Sequence, residues 1–237
     1  MNVFSLPSPP FIFCALFVLV PVTLHAQNHA VAPSQTPGAK PGPSNTAPKY
    51  TEEQMKEMIS KLQDRIQKAT DAVLGRIQKE EADVQIRFSY LRKPERLDPN
   101  YYKSKNDITI WRDSLQQLKD KEIGLDKLYA EADQDLGNAL IQQRINQSIS
   151  DQIKNELLKS FPWSIIKKKS DLMQEYIAEH DDLLTFYDKN WGSWKSGSEP
   201  GTATFSDNHL AATLQNLKDK IKVTGQQIDE QYKVMMQ

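Results

Sequence analysis

Residues 51–93 read TEEQMKEMISKLQDRIQKATDAVLGRIQKEEADVQIRFSYLRK and carry the longest regular pattern in the chain. Their apolar side chains recur at three- and four-residue steps: Met55, Ile59, Leu62, Ile66, Ala69, Val73, Ile77, Val84, Phe88 and Leu91. This spacing places them on one face of a helix, so the stretch predicts a single long amphipathic helix. One helix cannot bury such a face alone, and the rest of the chain is therefore expected to cover it.

The ends of this first helix are also marked in the sequence. Thr51 and Gln54 match a capping box, and Pro94 ends the helix because proline cannot continue it. A competing prediction is a short β-hairpin within residues 84–111, where apolar and polar residues alternate. The helix is preferred because Phe88 and Leu91 continue the helical stripe.

Three more long helices and a connector follow in the prediction. The second helix begins near Ser104 and ends near Asn146, and a connector helix covers 149–159. The third begins at Pro162 and stops at Gly192, a loop covers 193–204, and the fourth begins after a Ser206 cap. The fold class predicted is all-α: an antiparallel four-helix bundle or coiled coil, in which a long helical hairpin packs with a shorter one. From the helix lengths, the tip of the long hairpin, Val84 to Leu118, is expected to project about 20 Å beyond the bundle.

The N-terminal region has a different composition. Residues 1–26 contain no charged side chain, and an apolar run from Phe11 to Val20 has the length of a signal peptide, with cleavage expected after Ala26. Export to the periplasm or the exterior follows; retention as an uncleaved anchor is the alternative. Residues 27–50, rich in Pro, Ala and Ser, are predicted to be a disordered linker, and residues 51–237 form the bundle domain.

Overall charge and cysteine content exclude several classes of function. The chain has 30 basic and 31 acidic side chains, a net charge of -1, so no nucleic-acid partner is predicted. The single cysteine, Cys14, lies in the leader, so the exported chain would contain no disulfide and no cysteine ligand for a metal. No cofactor is predicted.

Four ionisable residues occupy positions where a ligand site is conceivable. Glu81, Glu122 and His180 lie on apolar helix faces, and His209 begins the fourth helix. A small-ligand or metal-sensing bundle is the alternative function that they suggest, although their spacing lacks the Glu-x-x-His pairs of di-iron bundles. A hydrogen-bonded core histidine is preferred for His180, with Tyr129 in its layer, and Asp188 and His209 are expected level with Glu122. No nucleophile, base and orienting group are recognisable, so the prediction is that the protein is not an enzyme.

Two surfaces are candidates for binding a partner. The first is the aromatic and aliphatic set around the hairpin tip: Ile86, Tyr90, Tyr101, Tyr102, Ile110, Trp191 and Trp194. The second is a basic patch of Lys159, Lys167, Lys168 and Lys169, suited to an anionic membrane surface, for which an ordinary solvated face is the competing interpretation. The function predicted is a non-enzymatic interaction, scaffold or chaperone-like module, with a protein partner or a second copy bound at the tip.

Overall fold

The capping box predicted at the start of the first helix is present in the computed structural model, which describes residues 50–197 and 202–235. The Thr51 hydroxyl accepts the N–H of Gln54 at 3.2 Å, and the Gln54 side chain accepts the N–H of Thr51 at 2.9 Å. The predicted signal peptide, and the linker up to residue 49, lie outside the described residues.

Five α-helices and two short strands make up the described chain. Their bounds are α1 Glu52–Leu91, α2 Lys105–Gln142, α3 Gln147–Lys159, α4 Trp163–Lys189, β1 Trp194–Ser196, β2 Ala203–Phe205 and α5 Asn208–Met235. The all-α class is confirmed. The connection between α1 and α2 consists of two 3-10 turns, Pro94–Leu97 and Pro99–Tyr101, so the alternative of a β-hairpin within 84–111 is wrong.

Several predicted boundaries were off by a few residues. The second helix ends at Gln142, not near Asn146, because Arg144 takes a left-handed conformation with φ of 57°. Asn146 instead caps α3 by accepting the N–H of Ile149 at 2.9 Å. The predicted loop 193–204 contains most of an antiparallel pair, β1 with β2, and Asp207 rather than Ser206 accepts a first-turn N–H of α5.

Two antiparallel hairpins, α1 with α2 and α4 with α5, pack against each other, with α3 along the end of α2. Their apolar stripes meet in one core whose largest fully buried side chains include Tyr176, Tyr187 and Phe88. Ion pairs such as Lys121 with Asp83 at 2.9 Å join α1 and α2 at the surface. None of the described helices is both long enough and apolar enough to span a lipid bilayer.

The expected projection of the α1–α2 tip is wrong. The tip packs against the end of α4 and the turn that joins α4 and α5: Tyr187 of α4 donates its hydroxyl to the carbonyl of Leu97 at 2.8 Å, and Asn100 donates to the carbonyl of Thr202 in the turn. The extra length of the long hairpin lies at the opposite end. There Arg65 binds the carbonyls of Gln143 and Arg144 just beyond the end of α2, so residues 52–64 of α1 continue past it.

Candidate functional site

A buried group of ionised and hydroxyl side chains lies where α1, α2, α4 and α5 meet. We call Glu81, Glu122, Lys169, Tyr129 and Tyr232 the carboxylate–lysine cluster. The Lys169 ammonium lies 2.8 Å from Glu81 Oε1 and 3.6 Å from Glu122 Oε1, and all three side chains are almost fully buried. Tyr129 donates its hydroxyl to Glu81 Oε2 at 3.1 Å, and Lys169 Nζ lies 5.6 Å from the centre of the Tyr232 ring.

The two carboxylates of the cluster are not equivalent. Glu81 accepts hydrogen bonds from both Lys169 and Tyr129, whereas neither carboxylate oxygen of Glu122 has a hydrogen-bond partner among the described residues. Burial raises the pKa of Glu122 to about 7; the Lys169 ammonium opposes this rise and the Glu81 carboxylate adds to it. One lysine thus neutralises one glutamate, and the second gains or loses a proton near neutral pH.

The tyrosines of the cluster are neutral, and of the two hydroxyls only that of Tyr129 has a hydrogen-bond partner among the described residues. Burial raises the pKa of Tyr129, and the Glu81 carboxylate beside it adds to the effect. Burial also raises the pKa of Tyr232 well above its usual value. Both phenols therefore keep their protons at neutral pH.

This arrangement differs from the metal site considered for Glu81, Glu122, His180 and His209. Lys169 places a positive charge between the two carboxylates, where a metal ion would have to lie. His180 lies eleven residues after Lys169 on α4, which is about 16 Å along the helix axis. His209 and Tyr232 lie at opposite ends of α5. In the described part of the chain, no group of three His, Cys, Asp or Glu side chains is placed to hold a metal.

His180 is buried as expected, but the hydrogen bond expected for it is absent. Its Nε2 atom has no partner among the described residues. The expected candidate, Tyr129, binds Glu81 at the level of Lys169, which lies eleven residues before His180 on α4. The imidazole packs against the Tyr176 ring at a centroid distance of 4.6 Å. Burial lowers the pKa of His180 to about 4, so the ring is neutral at pH 7.

The expectation that Asp188 and His209 lie level with Glu122 is also wrong. Asp188 pairs with Lys105 at 2.9 Å, near the tip. His209 is exposed. The residue level with Glu122 is Lys169, which was predicted to lie in the basic surface patch.

A surface groove adjoins the cluster on the side of α2 and α4. This groove, the Trp163 groove, has a volume of about 330 Å³ and is lined by Asp126, Tyr129, Trp163, Ile166, Lys167, Ser170, Asp171 and Gln174. Ser170 donates its hydroxyl to Asp126 Oδ2 at 2.7 Å. Trp163 is 41% exposed and donates its indole N–H to the carbonyl of Leu158, a bond that holds the ring in place.

Aromatic residues predicted to form a binding surface at the tip have mixed environments. Ile86, Tyr90 and Ile110 are exposed, and Tyr101 is 38% exposed. Tyr102, in contrast, is buried and donates its hydroxyl to the carbonyl of Arg96, which removes it from the predicted surface.

Arg96 occupies the space between the rings at the tip. Its guanidinium carbon lies 3.8 Å from the centre of the Trp111 ring, 4.4 Å from that of Tyr101 and 4.9 Å from that of Tyr90. The Arg96 guanidinium thus makes cation–π contacts with three rings of the chain itself. Trp191 and Trp194 are half-buried and contact each other at a centroid distance of 5.4 Å, so they belong to the packed end of the bundle.

The predicted basic patch is not a continuous surface. Lys169 is buried in the cluster, so its assignment to the patch is wrong. Lys159 pairs with Glu156 at 3.7 Å, and Lys167 pairs with both carboxylate oxygens of Asp171. Lys168 remains exposed.

The N-terminal part of α1 carries an apolar face that nothing in the described chain covers. We call residues 52–64 the free N-terminal segment; at about 1.5 Å per residue it is about 20 Å long. Met55, Met58 and Ile59 are 49%, 53% and 49% exposed, and Leu62 is half-buried. The apolar spacing of the sequence predicts that Met55, Ile59 and Leu62 belong to the core stripe, and this prediction is wrong for Met55 and Ile59.

Comparison of the chain with protein-family models, with curated proteins and with solved structures finds no match.

The pairing of Lys169 with the two glutamates was not predicted from the sequence, although a signal for it is present there. Glu81 and Glu122 interrupt apolar stripes, and Lys169 follows Ile166 by three residues and precedes Met173 by four, which places it on the apolar face of α4. Opposite charges on buried faces of different helices were the available signal, since buried charges are normally paired.

Proposed function

We propose that the protein is an exported, non-enzymatic interaction module that acts through the free N-terminal segment of α1. The observation that supports this proposal is the half-exposed row Met55, Met58, Ile59 and Leu62, at helical spacing, on a helix that extends past its partner α2. Contiguous exposed apolar surface on a soluble domain is typical of an interaction site.

The opposite end of the bundle is a poorer candidate than this segment. The loop between α1 and α2 is hydrogen-bonded to α4 through Leu97 and to the α4–α5 turn through Asn100. Its ring faces enclose Arg96, and Tyr102 is buried. A partner there would have to displace these contacts, whereas the free segment needs no rearrangement.

A second copy of the chain is the occupant that the charges favour. Residues 52–57 carry three glutamates and one lysine, a net charge of -2, whereas residues 61–68, which begin in the free segment and continue into α1 beyond it, carry two lysines, one arginine and one aspartate, a net charge of +2. Two such segments in antiparallel arrangement bring the acidic end of each next to the basic end of the other. The apolar rows then face each other across a two-fold axis, as in an antiparallel coiled coil.

Such a dimer would be weak. Covering a half-exposed Met, Ile or Leu side chain contributes about 1 kcal/mol, hence about 8 kcal/mol for eight side chains. Lost translational and rotational freedom costs at least about 4 kcal/mol. About 4 kcal/mol remains, half of the gross contribution, and corresponds to a dissociation constant of about 1 mM.

Sedimentation equilibrium of the full chain from about 10 µM to about 1 mM tests this proposal, since the upper end of that range reaches the expected constant and about half of the chains should be dimeric there. We expect a reversible monomer–dimer equilibrium that Ile59→Glu abolishes, because the substitution places a charge in the apolar contact. Ser60→Glu is the matched control: it adds the same charge one residue further on, on the opposite face of α1, and should leave the equilibrium in place.

Three results would contradict the proposal. A full chain that stays monomeric up to about 1 mM would mean that a second copy is not the occupant. Equal dimerisation of wild type and Ile59→Glu would place the interface elsewhere. Loss of dimerisation in Ser60→Glu as well would show that negative charge alone, and not the apolar row, is responsible.

A further inference from the structure

We propose that the Trp163 groove is a binding site for an organic cation, a guanidinium or alkylammonium group held by Asp126 and the indole ring. The groove contains no residue of the free N-terminal segment, so the test of this site is independent of the test of self-association.

The charges of the groove favour a cationic ligand. Lys167 and Asp171 neutralise each other through contacts of 2.9 and 2.8 Å. Asp126 forms no ion pair with any lysine, arginine or histidine of the described chain; its one hydrogen bond there comes from the neutral hydroxyl of Ser170. The groove thus has one uncompensated negative charge, on a side chain that is half-buried.

Behind the groove, the buried cluster adds charge of the same sign. Lys169 neutralises Glu81, so Glu122 contributes a negative charge whenever it is ionised. Because the medium between Glu122 and Asp126 is protein rather than water, this charge is weakly screened. A cation in the groove would therefore be attracted by Asp126 and, when Glu122 is ionised, by a second carboxylate one turn earlier on α2.

The aromatic side chains supply the second element of a cation site. Trp163 is held by its bond to Leu158 and by Phe161, whose ring centre lies 5.0 Å away, and Tyr129 lies nearly perpendicular to it at 6.2 Å. An exposed indole beside a carboxylate attracts guanidinium and alkylammonium groups through the charge distribution of the ring. The volume, about 330 Å³, is at the lower end of ligand sites and suits a single such group with a short alkyl chain.

The proposal is tested by titrating the ¹⁵N-labelled full chain with ethylguanidinium while the indole N–H signal of Trp163 is followed by NMR. Trp163→Phe assigns that signal. A peptide, acetyl-Gly-Arg-Gly amide, tests whether an arginine side chain is accepted, and its citrulline analogue has the same shape without the charge. We expect saturable shifts with ethylguanidinium and with the arginine peptide, and none with citrulline.

Variants of single side chains connect the signal to the groove. Asp126→Asn keeps an oxygen acceptor for Ser170 and should weaken binding by at least about tenfold, the usual loss of a charge-assisted contact. Asp120→Asn, on an exposed position of the same helix, is the matched control and should change affinity by less than about twofold, since solvent screens that charge. Lys167→Met should tighten binding, because it leaves the carboxylate of Asp171 unpaired.

The outcomes separate the possible ligands. Binding of both probes supports a site for the group itself, and binding of the peptide alone supports a site for an arginine side chain of a partner. The proposal would be overturned if neither ethylguanidinium nor the arginine peptide gave saturable shifts, or if the citrulline peptide bound as well as the arginine peptide. Unchanged affinity in Asp126→Asn would also overturn it.

Discussion

Two buried ionisable residues should give this protein opposite and separable responses to pH. Glu122 has a pKa raised to about 7 from the usual 4.5, and His180 has one lowered to about 4 from the usual 6.5. We predict that Glu122→Gln makes the free energy of unfolding increase between pH 5 and pH 7 relative to wild type. His180→Phe should make it decrease over the same range.

The signs follow from which state binds the proton more tightly. Folded Glu122 holds its proton more tightly than unfolded Glu122, so its contribution falls as pH rises from about 4.5 to 7 and stays lost above that. His180 is neutral when folded but gains a proton when unfolded, so its contribution is lost as pH falls from about 6.5 to 4.

Between pH 5 and pH 7 the two contributions nearly cancel in the wild type. With about 1.4 kcal/mol for each pKa unit, each amounts to about 2 kcal/mol over this interval, and they have opposite signs. Removing one residue exposes the slope of the other. The change from pH 5 to pH 7 should therefore differ by about 4 kcal/mol between the two single variants, and the double variant should resemble wild type.

Urea unfolding at pH 5, 6 and 7, followed by circular dichroism, measures these slopes. Glu131→Gln is the control for Glu122→Gln, because it removes an exposed carboxylate of the same helix, whose ion pair with Lys127 is at the surface. Other titrating groups are common to all variants and cancel in the comparison. If the free energy of unfolding changes equally with pH in Glu122→Gln and Glu131→Gln, the pKa of Glu122 is not raised in the folded protein, and the prediction is wrong.

Three further substitutions test separate features of the fold. Lys169→Met leaves two buried glutamates without a cation and should lower the free energy of unfolding by about 3 to 5 kcal/mol at pH 7 in urea titrations, against less than about 0.5 for the exposed Lys168→Met. Gly75→Ala should raise the free energy of unfolding by up to about 1 kcal/mol, and with it the melting temperature, since Gly75 is an exposed helical position and the added methyl group has no atom within 4 Å. Gly192→Ala should lower the free energy of unfolding by a similar amount, because Gly192 has a φ of 83°. Arg96→Met should cost about 2 kcal/mol and shift the tryptophan emission to longer wavelength, because a cation is removed from three ring faces; unchanged emission would mean that those rings do not depend on it.

Local features of the chain were predictable because their causes are local. The capping box of Thr51 and Gln54 and the left-handed Gly192 each depend on a few neighbouring residues, and the structure confirms both. The three- and four-residue spacing of apolar side chains also identified the long helices, because it reports which face of each helix is buried. The strands β1 and β2 were missed because each has three residues, too few for an alternating pattern to be recognised.

The candidate sites were less predictable because they depend on how far one helix is shifted along another. The spacing of apolar side chains along a helix indicates which side faces the core, but it does not indicate which residue of the neighbouring helix lies opposite. Aligning helices by their loops placed Asp188 and His209 beside Glu122, whereas the residue there is Lys169. In the structure the tip of the α1–α2 hairpin packs against α4 and the α4–α5 turn, whereas α2 ends opposite Arg65. The uncovered part of the long hairpin is therefore the start of α1 and not the tip.

The sequence by itself determined that this protein is helical, roughly where its helices begin, and which face of each long helix is apolar, since these properties follow from backbone hydrogen bonding and residue spacing. Only the tertiary structure decided that Lys169 meets Glu81 and Glu122, that Arg96 fills the aromatic tip, and that Asp126 and Trp163 share a groove. The physical reason is that apolar packing is nearly indifferent to a shift of one helical turn, whereas pairing of buried charges is not.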